Sequence, residues 1–74
     1  MKTVDARNLS LLKKHPLIFG SINQLQPGDS VLIINDHDPK PLKVKLAADR
    51  SASYEFEYLQ EGPVDWKVKI TRIK

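Results

Sequence analysis

The spacing of apolar positions changes several times along the chain, and each spacing predicts an element. Thr3-Val4-Asp5-Ala6-Arg7 alternates as a short strand at a sheet edge does. Leu9, Leu11 and Leu12 follow with Ser10 and two lysines, and they read as a loop that lays leucines on the core. Proline fixes its own φ and pushes the preceding residue away from helical geometry, so His15-Pro16 predicts a helix from Pro16 to about Leu25 with His15 outside it. Ile18, Ile22 and Leu25 recur at i, i+4 and i+7 along that helix, and Leu17 and Phe19 widen the stripe. Gly20 weakens it by about 1 kcal/mol relative to alanine and offers room for close packing. Gln26-Pro27-Gly28-Asp29 is a turn, and Ser30 to Ile34 is an almost uninterrupted apolar run suited to the centre of a sheet.

Leu42 and Leu46 have helical spacing, whereas Leu42, Val44 and Leu46 also alternate as a strand would. Ala47-Ala48 and the need for a crossover favour a helix, with Asp38 near its N-cap and Pro41 in its first turn; a strand is the alternative. Ser53 to Leu59 and Trp66 to Ile73 then form a pair around the Glu61-Gly62-Pro63 loop. Setting Glu57 opposite Lys67 also sets Glu55 opposite Lys69, Tyr58 opposite Trp66 and Phe56 opposite Val68, which satisfies both faces at once. The aromatic face of this hairpin is expected to fill the core. The order βαβαββ with right-handed crossovers predicts a two-layer α/β sandwich, a four-stranded mixed sheet with both helices on one face.

With 74 residues, the expectation is a single domain spanning 1–74. A net charge of +3 permits attraction to phosphate without establishing it. The absence of cysteine excludes disulfides, thiolate metal sites and persulfide chemistry on the protein's own sulfur. No stretch has the roughly 20 apolar residues of a membrane helix, and a cytoplasmic location without a membrane partner is expected.

The densest polar stretch is Asn35-Asp36-His37-Asp38-Pro39-Lys40-Pro41-Leu42, placed where the central strand ends. Asp36 and Asp38 suit an acid and base pair, but an Asx-turn followed by an N-cap explains them with less. His15, at the positive end of its helix, would keep an unprotonated nitrogen for a ligand. Parallel βαβ geometry places His15 and His37 at the same sheet edge, where with Asp36 or Asp38 they offer histidine and carboxylate ligands to a metal, at a spacing that matches no metal signature. Lys40 and Arg50 offer charge to an anion near the second helix.

Taken together, Asp5-Ala6-Arg7, His15-Pro16, Leu25-Gln26-Pro27-Gly28-Asp29, Asn35 to Leu42, and Glu57 to Pro63 with Trp66 resemble an uncharacterised bacterial domain family related to TusA and SirA. The resemblance spans nearly the whole chain. It implies a TusA-like fold with sheet order 1-2-4-3, and a family whose members occur alone or joined to haemerythrin-like domains. In TusA-like sulfur carriers the helix begins with Cys-Pro, and the cysteine carries persulfide sulfur. The aligned pair here is His15-Pro16, and imidazole does not hold sulfane sulfur in that manner, so the location carries over and the chemistry does not.

The leading expectation is a non-catalytic binding or accessory module, without cofactor and monomeric, whose protein partner or small ligand meets His15, Pro16, Asn35, Asp36, His37, Asp38 and Lys40. A redox- or metal-associated protein using His15 and His37 is the second reading. An RNA-binding domain is the third, disfavoured because Glu55 and Glu57 offset Lys67 and Lys69.

Overall fold

Six elements follow in the order β1 (Lys2–Asp5), α1 (Leu11–Asn23), β2 (Ser30–Asn35), α2 (Lys40–Ala48), β3 (Tyr54–Glu61) and β4 (Trp66–Arg72). The structure is a computed structural model that describes the backbone of residues 1–74 and every side chain except that of Leu11. The sheet has the order β1-β2-β4-β3, as the resemblance implied. β1 runs parallel to β2, and β4 runs antiparallel to both β2 and β3. The βαβαββ order and the two-layer reading therefore hold, and the second helix is a helix rather than a strand.

Val4, Val31, Ile33, Val68 and Ile70 from one sheet face join Ile18, Ile22, Leu42 and Leu46 from the helices in a single buried cluster. Both helices thus cover the same face. The core is aliphatic, which corrects the expectation that aromatic bulk fills it. Tyr54, Phe56 and Tyr58 are half-buried and packed against the cluster, because β3 is an edge strand and only α2 shelters its inner face. Trp66 is also half-buried; it meets Tyr58 edge-on, with ring centroids 6.3 Å apart.

The first helix differs most from its expected bounds. It begins at Leu11 and ends at Asn23, so His15-Pro16 lies inside it rather than opening it. Ser10 sits at the N-cap in an extended conformation (φ −67°, ψ 159°), and its carbonyl accepts the amides of Lys13 and Lys14. Pro16 removes the amide that would serve the carbonyl of Leu12, a residue 88% exposed, so water is at hand for that carbonyl. Starting early also extends the buried stripe: Lys14 stands one turn before Ile18, and it is buried. A Cβ added at Gly20 meets nothing within 4 Å, so this glycine serves no close packing.

In the hairpin the faces are as expected and the register is not. Glu57 stands opposite Lys69, Glu55 opposite Thr71, Phe56 opposite Ile70 and Tyr58 opposite Val68. A shift of two residues keeps every side chain on its face. The strands run on to Glu61 and Trp66, a bulge between Tyr58 and Gln60 takes up the extra residue, and the loop closes through a 2.9 Å bond from the Gly62 amide to the Asp65 carbonyl. Gly62 has φ +69°, and a Cβ there would lie 2.9 Å from the Trp66 ring, which only glycine avoids.

Candidate functional site

Parallel pairing of β1 and β2 delivers both of their C-terminal ends to one edge of the sheet. Each helix begins from that edge, and antiparallel β4 starts there, with Trp66 opposite Asn35. The crevice outside the carboxyl ends of such strands is where open α/β sheets commonly bind ligands. Here it holds a groove of about 330 Å³ between α1 and α2, lined by His15, Phe19, Asn35, His37, Leu42 and Lys45, among others.

Lys14 is part of the lining of this groove. Its stem belongs to the buried stripe, and its ammonium donates to Asn35 Oδ1 at 3.0 Å and to Asp36 Oδ1 at 2.7 Å. Asn35 is itself buried, and its Oδ1 also accepts the amide of Asp36 at 2.9 Å, which fixes the turn leaving β2. Asp36 Oδ1 further meets His37 Nδ1 at 2.8 Å. Lys14 first and His37 second hold the Asp36 carboxyl well below the usual carboxylate range. An ionised carboxylate only accepts, so His37 donates through Nδ1 and its Nε2 is the other ring nitrogen. His15 stacks on Phe19 with centroids 4.4 Å apart, and the Lys45 ammonium stands 5.4 Å from the centroid of the same Phe19 ring.

Two further links tie the edge together. Arg7 holds Asp5 through two side-chain bonds of 2.9 and 2.7 Å and reaches Asp65 at 3.2 Å, joining the end of β1 to the hairpin loop. Hydrogen bonds from the Arg7 side chain and then its backbone hold Asp5 down at about 2. Tyr58 donates to Asp38 Oδ1 at 2.7 Å; burial first, and then this bond, push the phenol up to about 12.

The residues expected at this site are therefore at one edge but in different roles. His15, Asn35 and His37 line the groove, and Asp36 orients two of its side chains. Asp38 faces Tyr58 rather than capping α2, whose N-cap is Pro39. Pro16 and Lys40 are exposed and outside the groove lining, and Arg50 lies past the far end of α2 from Lys40. His15 is within α1 and not at its positive end, which removes the helix-terminus account of its protonation. Among the described residues no group of three or more His, Cys, Asp or Glu side chains is placed to hold a metal ion. Lys14 and Lys45 were missed as site residues. The first left a signal, a lysine one turn upstream of Ile18 on an otherwise apolar stripe.

A family model described as "Uncharacterized conserved protein (DUF2249)" matches residues 3–72, and the chain belongs to that family. No curated protein and no solved structure matches it. Among the described residues no helix is long and apolar enough to cross a membrane.

Proposed function

We propose, from the groove and from a family membership that brings no activity with it, that the chain is a small non-catalytic binding or accessory module working in the cytoplasm. Its site is the crevice between α1 and α2 at the end of β2. The observation that carries this reading is the arrangement around Lys14: a buried ammonium, held by Asn35 and Asp36, forms part of the wall of an open groove. Burying a lysine is costly unless it is paired, and here the pairing also orders the loop that presents His37. Kinship with TusA-like sulfur carriers is part of the proposal at the level of fold alone. The element order and the sheet order support it. The place of His15-Pro16 inside α1, rather than at its start, counts against a carried-over active position.

The test is amide NMR of the labelled protein on addition of extract from its native cells, resolved into small-molecule and protein fractions. Shifts at Lys14, His15 and Asn35 through Lys40 are the expected result. Shifts confined to the outer sheet face, at Glu55, Glu57, Lys67 and Lys69, would overturn it.

A further inference from the structure

The groove has a charge character that narrows its ligand. Lys14, His15, His37 and Lys45 all line it, and no carboxylate does. Asp36 lies beside the lining and balances Lys14, its ion-pair partner at 2.7 Å. Lys45 is then the one ammonium of the lining without a carboxylate partner. Lys14 spends two of its three protons on Asn35 and Asp36, which leaves one donor. One unpaired ammonium and separate single donors, without a guanidinium fork, suit a monoanionic carboxylate better than a phosphate dianion. The remaining wall is apolar: Ile18, Phe19, Pro39, Pro41 and Leu42. Because Lys45 stands 5.4 Å from the Phe19 ring centre, the charge and the apolar wall adjoin. A volume of about 330 Å³ is at the small end for ligand sites.

We infer that the groove binds a small carboxylic acid with an apolar body, its carboxylate against Lys45 and the free donor of Lys14 and its body against Phe19 and Leu42. This names the ligand class of the site proposed above and rests on that reading.

Benzoate is the probe, followed by amide NMR, with benzamide as the neutral isostere and inorganic phosphate as the competing anion. Saturable shifts at Phe19, Asn35, His37 and Lys45 are expected with benzoate, with benzamide weaker by roughly tenfold or more. Lys45→Met keeps the stem of an exposed side chain, so the fold should persist, as the spread of its amide spectrum would show. It should weaken benzoate by roughly tenfold and leave benzamide unchanged. Equal binding of benzamide, equal binding of phosphate, or indifference to Lys45→Met would each overturn the ligand class. Were benzoate to leave the groove unmoved while cell extract still shifts it, the ligand class alone would fail. Were neither to move it, the site would fall as well.

Discussion

The sheet edge at the ends of β1 and β2 and the outer face of the sheet carry the same kinds of charged residue, yet they hold them differently. Every lysine or arginine ion pair among the described residues lies at the edge: Arg7 with Asp5 and Asp65, and Lys14 with Asp36. On the outer face Glu57 and Lys69 stand directly opposite in register without forming one. For Lys14 water explains the contrast: it is buried and its ammonium must find partners, whereas Lys69 is half-exposed and hydration competes with Glu57. Arg7 is half-exposed as Lys69 is, and its contacts with Asp5 rest on a neighbour two residues away in the chain and a guanidinium that can bond a carboxylate twice. Facing charges on an open strand pair thus need not meet, while burial at Lys14 leaves its ammonium no alternative to partners.

The largest effect that bears on this contrast is the truncation of Lys14. Lys14→Ala removes a buried stem and the bonds to Asn35 and Asp36, and it should cost about 2 to 3 kcal/mol in urea denaturation. Lys69→Ala should stay within about 0.5 kcal/mol, as surface substitutions do. Similar losses for the two would erase the distinction. Lys14→Met separates stem from charge, and recovery of part of the loss would assign that part to packing.

Acid comes next. The folded Asp36 and Asp5 carboxyls titrate below the ordinary 3.8, so their contribution is fully present above that value and is lost as pH falls through the folded values. Stability should therefore hold from neutrality to about pH 4 and decline below it. Asp36→Asn should flatten part of that decline, and Asp5→Asn another part. Denaturation midpoints measured between pH 5 and 2 check both.

The contrast also accounts for what could be read along the chain. Element order and faces were legible, because alternation in Tyr54 to Tyr58 and the stripe Ile18–Ile22–Leu25 depend only on side-chain period. Register was not, since matching Glu57 to Lys67 or to Lys69 satisfies the same faces, and the choice lay in the Leu59 bulge and the Gly62–Asp65 closure. The start of α1 was hidden by Pro16, a strong local signal overridden by the tertiary partners that Lys14 finds at the end of β2 and just beyond it. The place of the candidate groove at this edge was legible through Asn35 and His37, which line it. Its composition was not: half of the groove comes from α1 and α2 side chains that read as core or solvated charge until the helices are laid side by side.

The smallest expected effect concerns the outer end of the same edge. Tyr58 and Asp38 lie between the two regimes, a half-buried phenol on a half-buried carboxylate, and their 2.7 Å bond should contribute about 0.5 to 1 kcal/mol at neutral pH. Tyr58→Phe measures it. The pH dependence is the sharper observation, because the folded phenol titrates at about 12 rather than the ordinary 10.0. A group raised in the folded state stabilises it fully below its unfolded value and loses that contribution as pH climbs through the folded one. The wild-type advantage over Tyr58→Phe should accordingly be constant up to pH 10 and shrink between 10 and 12. A difference that stays flat across that interval would mean that the phenol is solvated as freely as the charges of the outer face, and the boundary between the two regions would then run inside Asp38 rather than beyond it.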